Sequence, residues 1–180
     1  MTDIPMTFTS GPSDPVCFAD GAGTWVETTI AAPADAVWAA VTDLDLPARF
    51  SPEYQGGTWT TDQRGLGASF IGRNEHEAIG TWEVESWVIA YEEGRTFGWG
   101  TSDPDNPGAQ WTFHLEPQVG RTTKLLYSLT LGPGPSGLTA AIERMPDKEA
   151  RIIERRLVEH HGNMTRVVEG IRAELEAGDS

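Results

Sequence analysis

The chain has 180 residues, with 13 Lys or Arg against 27 Asp or Glu, so its formal net charge is −14. This length fits one domain, and the acidic balance argues against partners that need a basic face, namely nucleic acid and anionic membrane surfaces. The single cysteine, Cys17, excludes an intramolecular disulfide and a cysteine-based metal cage. No apolar run is long enough to span a bilayer, and the N-terminal residues lack the pattern of a signal peptide. We therefore expect a cytoplasmic protein, monomeric or homodimeric, with no metal, no cofactor and no nucleic-acid partner.

The first 23 residues lack the periodicity of a helix or a strand. They contain three prolines and three glycines, which interrupt regular structure. We predict an irregular N-terminal lead-in over residues 1–23, followed by one domain over residues 24–177. An alternative stays open, in which apolar side chains fix this segment to the domain as an additional edge strand. Those side chains are Phe8, Val16, Cys17 and Phe18.

A strand and two short helices are predicted next. Residues 25–30 are rich in β-branched and aromatic residues, which favour a strand. Pro33 suits a first helical turn, and apolar side chains then recur at helical spacing as far as Val41. Residues 44–54 are predicted as a second short helix that prolines interrupt.

The central part of the chain has the alternation of a β-sheet. In residues 110–116, Trp111, Phe113 and Leu115 share one face and polar residues occupy the other. This pattern indicates an antiparallel strand with one solvated side. A turn over residues 103–108, rich in Asp, Asn and Pro, follows the preceding strand. The same period of two predicts strands over 58–61, 67–76, 81–91 and 122–131, and another that begins at Phe97 and Trp99.

The last part of the chain is helical. Glycines and prolines over residues 132–137 end the sheet, and a long amphipathic helix is predicted from Pro146 to Ala177. An antiparallel sheet with one apolar face is covered by such a helix, so the predicted fold class is α+β. The apolar stripe of the helix consists of Ile153, Leu157, His160, Met164, Val167 or Val168, Ile171 and Leu175.

This order of elements resembles the START-related helix-grip superfamily, also called SRPBCC or polyketide cyclase/dehydrase-like proteins. The stretch from Val26 to Trp38 is similar to the first strand and helix start of that family. The resemblance implies a curved antiparallel β-sheet wrapped around the long C-terminal helix, with two short helices after the first strand. It also implies a ligand cavity between sheet and helix. Further stretches resemble an actinobacterial branch of the family: residues 72–74, 80–83, 90–95, 103–107, 132–137 and 146–149.

Aromatic and polar side chains with inner-face parity are the candidates for lining that cavity. A flat, mostly apolar ligand would contact aromatic walls, and indole N–H groups would orient it. Buried polar residues on the same face need hydrogen-bond partners, which either the backbone or a ligand supplies. The alternative for each residue is ordinary core packing. The predicted ligand-binding residues are Phe70, Asn74, Trp82, Trp99, Trp111, Tyr127, His160 and Met164.

The candidates for catalysis are His160, His76 and Tyr127. An imidazole on the inner stripe of the long helix is suited to proton transfer near neutral pH. His160 or His76 would serve as the base, and Tyr127 or Asn74 would polarise a carbonyl group. The alternative for each histidine is a satisfied core or rim residue.

The resemblance leaves three functions open. The first is the binding of a small hydrophobic or aromatic molecule, polyketide-like or lipid-like. The second is an enzyme of the polyketide cyclase/dehydratase type, and the third is a protein-interaction domain of the Hsp90-activator-like type. The aromatase/cyclases of the superfamily often place an arginine inside the pocket, and Arg73 and Arg49 are the candidates for it here.

Overall fold

The computed structural model describes residues 6–7 and 17–178. Within these residues, eight strands form one sheet in the order β1-β2-β8-β7-β6-β5-β4-β3, and every neighbouring pair is antiparallel. The strands are β1 (Met6–Thr7), β2 (Gly23–Ile30), β3 (Tyr54–Trp59), β4 (Ser69–His76), β5 (Gly80–Glu92), β6 (Thr96–Thr101), β7 (Ala109–Gln118) and β8 (Thr122–Leu131).

In the part of the chain that the structure describes, three α-helices accompany the sheet. They are α1 (Ala34–Thr42), α2 (Thr139–Arg144) and the long α3 (Glu149–Gly178). Single 3₁₀ turns cover Phe18–Asp20, Pro47–Arg49 and Pro146–Lys148.

Among the described residues, no helix combines the length and the apolar character that crossing a membrane requires.

The sheet is curved around α3, as the helix-grip prediction requires. The pairing of β5 with β6 shifts between Val88 and Ala90, and that of β3 with β4 shifts between Tyr54 and Gly57. Bulges of this kind bend a strand and increase its twist. Of all the strands, β2 packs most extensively against α3. Space therefore remains between the helix and the middle strands.

The inner stripe of α3 matches the predicted one. Its buried residues alternate with exposed charged residues at helical spacing, so one face of the helix covers the sheet. Burial of each large aliphatic side chain contributes roughly 1.5–3 kcal/mol. The buried residues of α3 are Ile153, Leu157, His160, Met164, Val167, Val168 and Ile171.

Residues 44–54 differ from the predicted second helix. Only Pro47–Arg49 is helical, as a single 3₁₀ turn, and Tyr54 already begins β3. Pro52 disfavours a helical conformation at the residue before it, which ends any helix there. β3 therefore begins earlier than the predicted strand over residues 58–61. The short helix α2 is additional to the predicted long helix and lies between the break over residues 132–137 and Pro146.

Part of the N-terminal segment is described and lies on the sheet. Met6 and Thr7 pair with Thr24 and Gly23 at the edge of β2. The backbone N–H of Phe18 donates to the Glu149 carboxylate at the start of α3, at 2.6 Å. Of the side chains considered for an edge strand, Phe8 and Val16 lie outside the described residues.

Candidate functional site

A cavity of about 120 Å³ lies between the inner face of the sheet and α3. A single buried water needs roughly 10–15 Å³ of such space, so the cavity is large enough for a small organic molecule. Strands β4 to β8 form its floor, and α3 together with residues 41–54 encloses the other side. The lining residues are Val41, Asp43, Leu44, Pro47, Ser51, Glu53, Tyr54, Phe70, Gly72, Asn74, Val84, Ser86, Trp99, Thr101, Trp111, Phe113, Tyr127, His160, Asn163, Met164 and Val167.

Aromatic rings cover the middle of the cavity floor. Trp99 on β6 is paired in register with Trp111 on β7, and Phe113 on β7 is paired with Tyr127 on β8. The two indoles stack with their centroids 6.3 Å apart, and the rings of the second pair stack at 4.0 Å. Phe70 extends the surface, with its centroid 6.2 Å from that of Trp99. Cross-strand pairing thus builds a continuous aromatic wall.

His160 faces this aromatic wall from α3. Its ring meets Trp111 edge-on, with the centroids 5.0 Å apart, and the residue is 8% exposed. Burial lowers the pKa of His160 well below its usual value, and the nearby Arg156 and His76 lower it further. The imidazole is therefore neutral at physiological pH, with one nitrogen that donates and one that accepts.

Two hydroxyl groups on the floor are buried as well. Tyr127 is 8% exposed and Ser86 is 1% exposed. Burial raises the pKa of the Tyr127 phenol, and the neighbouring Tyr54 raises it further, so this hydroxyl keeps its proton. Within the described part of the chain, no protein group hydrogen-bonds the side chain of Ser86, Tyr127 or His160. All three polar groups are free to bind a ligand or water.

A buried ion pair closes one side of the cavity. Glu53, which precedes β3, is 8% exposed and accepts two hydrogen bonds from the guanidinium of Arg156 on α3. Asn163 donates a third, weaker bond to the same carboxylate at 3.4 Å. Two-point pairing fixes the geometry of both charged groups, so Glu53 and Arg156 tie residues 51–54 to α3.

Seven of the eight predicted ligand-binding residues line this cavity. Trp82 is the exception. It is half-buried and pairs in register with Asn74, so it has the predicted inner-face parity. The cavity reaches Asn74 on β4, but on β5 only Val84 and Ser86 line it. The residues that do line the cavity are Phe70, Asn74, Trp99, Trp111, Tyr127, His160 and Met164.

The catalytic candidates are only partly brought together. His160 and Tyr127 line the cavity, whereas His76 does not. The Nε2 atom of His76 lies 3.9 Å from the Glu159 carboxylate on α3, and its Nδ1 accepts a hydrogen bond from the backbone of Ala78. His76 therefore lies at the rim between β4 and α3, on the same face of the sheet as Asn74 but outside the cavity.

The two candidate pocket arginines point elsewhere. Arg49 is exposed and pairs with Glu174 at 2.7 Å, and Arg73 donates to the Thr58 hydroxyl on the outer side of β3. The parity of Arg73, opposite to that of the inward-facing Asn74, accounts for its orientation. In the described residues, no group of three or more His, Cys, Asp or Glu side chains could hold a metal ion.

The sequence prediction missed the residues that enclose the cavity from the side. Glu53 and Tyr54 fell in the predicted second helix, where no strand parity was assigned to them. Asn163 follows an exposed glycine on α3 and lies one position before the apolar Met164. The position of Asn163 beside the inner stripe was the one sequence feature that pointed to the cavity, and a single polar neighbour is a weak indication.

Comparison with known proteins gives a family and several similar structures. A sequence model of the family described as polyketide cyclase / dehydrase and lipid transport matches residues 24–169. The comparison with curated proteins returns no match.

Solved structures share the fold. A Polyketide_cyc-like protein from Corynebacterium glutamicum is 29% identical, covers 87% of this chain and 92% of its own, and has a TM-score of 0.64. The Zhui aromatase/cyclase from Streptomyces sp. R1128 is 20% identical, with coverages of 86% and 93% and a TM-score of 0.59. The di-domain ARO/CYC StfQ from the steffimycin biosynthetic pathway is 14% identical, with coverages of 87% and 51% and a TM-score of 0.65. The family match over most of the chain, together with the observed helix-grip fold, shows that this protein belongs to the polyketide cyclase/dehydrase and lipid transport family.

Proposed function

We propose that the protein binds a small hydrophobic or aromatic molecule, polyketide-like or lipid-like, in the cavity between the sheet and α3. The observation that carries the proposal is the cavity beside Trp99 and Trp111, between the sheet and α3. Protein interiors keep few voids larger than a water. A cavity of this size, lined by aromatic and aliphatic side chains with a few polar groups, is typical of a small-molecule site.

The comparisons support this proposal at a coarser level. The family description includes lipid transport, and two proteins of similar fold carry the words aromatase/cyclase or ARO/CYC in their names. Those names concern the proteins that bear them. For this chain, they favour an apolar or polyketide-like ligand over a nucleotide or a sugar.

A cyclase or dehydratase activity is the second candidate function, and His160 favours it. A neutral imidazole that faces a cavity can accept a proton from a carbon next to a carbonyl group. Tyr127, whose phenol keeps its proton, would donate a hydrogen bond to the carbonyl oxygen as negative charge develops there. His160→Gln should then abolish turnover while His161→Gln, one position away on α3, retains it.

The protein-interaction alternative has less support. It would require a filled interior and a continuous apolar patch on the surface. The exposed large apolar residues of the described chain are spread over the structure: Leu66, Ile79 and Val119 lie in three different loops, Met145 follows α2, and Val158 lies on α3.

Ligand binding is tested on the freshly purified protein by native mass spectrometry and by titration with naphthalene, followed by tryptophan fluorescence. We expect a co-purified small molecule, or saturable naphthalene binding with stoichiometry near one. Met164→Trp places an indole in the cavity and should abolish naphthalene binding. Val158→Trp introduces the same indole at an exposed position of α3 and should leave binding intact. Binding that survives Met164→Trp unchanged would contradict a site in this cavity.

A further inference from the structure

We infer that the cavity takes its ligand in uncharged form, as a flat molecule that carries hydroxyl or carbonyl oxygens and no ionised carboxylate or phosphate. This inference rests on the proposed ligand-binding function and adds the chemical class of the ligand.

The charges around the cavity argue against an anion. Among the lining residues that the structure describes, none is a lysine or an arginine, and the acidic ones are Asp43 and Glu53. Arg156 does not line the cavity, and its guanidinium already donates two hydrogen bonds to Glu53. A ligand carboxylate would therefore lose its hydration without gaining a counter-charge, and burial of an unpaired charge is strongly unfavourable.

His160 does not supply the missing positive charge. Its ring is buried against Trp111, and Arg156 lies close enough to disfavour a second positive charge. The titratable and charged groups near this ring are Arg156 and Glu159 on α3, His76 on β4 and Glu53 before β3. Of these, the two acidic groups are engaged by Arg156, which leaves His160 a neutral hydrogen-bonding group.

The neutral polar groups of the cavity indicate that the ligand carries neutral oxygens and not an ionised group. Tyr127 and His160 both contact Trp111, at centroid distances of 5.7 and 5.0 Å. Ser86 is paired in register with Phe70 and lies on the other side of the aromatic floor. Leaving a buried hydroxyl or imidazole without a hydrogen-bond partner is unfavourable. Neutral oxygens near both ends of a flat ligand would satisfy these groups.

Matched probes test the inference directly. Naphthalene, 2-naphthol and 2-naphthoate share one ring system and differ in the polar group, and the carboxylate is ionised at pH 7. We expect 2-naphthol to bind at least as tightly as naphthalene, and 2-naphthoate to bind at least roughly tenfold more weakly than 2-naphthol. Isothermal titration calorimetry at constant ionic strength measures all three.

The outcomes separate the inference from the proposed function. If naphthalene binds and 2-naphthoate binds as tightly as 2-naphthol, the inference is overturned and the ligand-binding proposal stands. If naphthalene and 2-naphthol both fail to bind, the ligand-binding proposal fails and the inference fails with it.

A charge variant tests the assigned cause. Glu53→Gln removes the two-point carboxylate partner of Arg156 and leaves only the pair with Glu159, so the affinity of 2-naphthoate relative to that of 2-naphthol should rise at least roughly tenfold. Glu174→Gln makes the same change in net charge at the exposed pair with Arg49 and should leave the ratio unchanged. An equal rise in both variants would overturn the assignment to the cavity. The wild-type comparison stands even if Glu53→Gln does not fold.

Discussion

Two glycines of α3 meet different surroundings. A Cβ atom added to Gly170 would overlap the ring of Phe50, whereas one added to Gly162 would have no atom within 4 Å. Alanine is the better helix former at either position by about 1 kcal/mol. Only at Gly170 does tertiary packing oppose that preference.

The two alanine variants should therefore change stability in opposite directions. We expect Gly162→Ala to raise the free energy of unfolding by about 0.5–1 kcal/mol. Gly170→Ala should lower it by roughly 1–3 kcal/mol, because Phe50 must move. Urea denaturation measures both. Removing the ring with Phe50→Ala should make Gly170→Ala less harmful, and a Gly170→Ala protein as stable as Gly162→Ala would refute the contact.

His160 should make the folded state sensitive to acid. Its pKa is lowered by folding, so below the unfolded-state value of about 6.5 the unfolded chain binds a proton that the folded chain does not. Stability that is present at neutral pH is therefore lost as the pH falls. Between pH 7 and pH 5 this single group accounts for up to about 2 kcal/mol.

Replacing His160 should flatten this dependence. Chemical denaturation of His160→Gln between pH 7 and pH 5 should show a smaller loss of stability than wild type. His114→Gln, at the exposed outer face of β7, serves as the control and should keep the wild-type slope. Equal slopes for all three proteins would show that His160 does not remain neutral in the folded state.

At the level of elements, residues 47–54 hold α3 over the open side of the sheet. The contacts run along the helix: Arg49 with Glu174, Phe50 over Gly170, and Glu53 with Arg156. The first of these pairs is exposed and the last is buried. A buried pair whose partner is removed leaves an uncompensated charge, whereas exposed pairs contribute about 0–1 kcal/mol.

The two ion pairs therefore predict unequal effects on stability. Glu53→Gln should lower the free energy of unfolding by roughly 2–4 kcal/mol, because Arg156 stays buried and partly unpaired. Glu174→Gln should lower it by less than about 1 kcal/mol. Thermal and urea unfolding of the two variants give the comparison. Effects of equal size would mean that the cavity-side pair is not the main tie between this segment and α3.

Residues 44–54 are the part of the chain whose secondary structure the sequence did not predict correctly. Strict alternation identified β7, and helical spacing identified the inner stripe of α3, because these patterns are local and repeat along one element. Residues 44–54 have no such repeat. Their conformation depends on Phe50 meeting Gly170 and on Glu53 meeting Arg156, which are contacts across more than 100 positions of sequence.

At the level of the whole molecule, the alternation of side chains along the strands predicted the cavity floor. It did not predict the residues that enclose the cavity from the side. Trp99, Trp111 and Tyr127 lie on the cavity floor because inner-face parity is a property of each strand. Trp82 has the same parity, yet on β5 the cavity is lined only by Val84 and Ser86, and a strand pattern does not give the extent of a cavity. Tyr54 and Glu53 enter the site because the chain folds back over α3.

The central claim is that a ligand occupies the space between the sheet and α3, and the methyl group of Met164 reports on it directly. In protein labelled with ¹³C-methyl methionine, saturation with naphthalene should shift the Met164 signal, because a bound ring lies beside a methionine that is 1% exposed. Met145, which is 39% exposed and does not line the cavity, should keep its position. Met164→Leu assigns the signal. A Met164 signal that stays unshifted while naphthalene binds would contradict the account, since the ligand would then lie elsewhere.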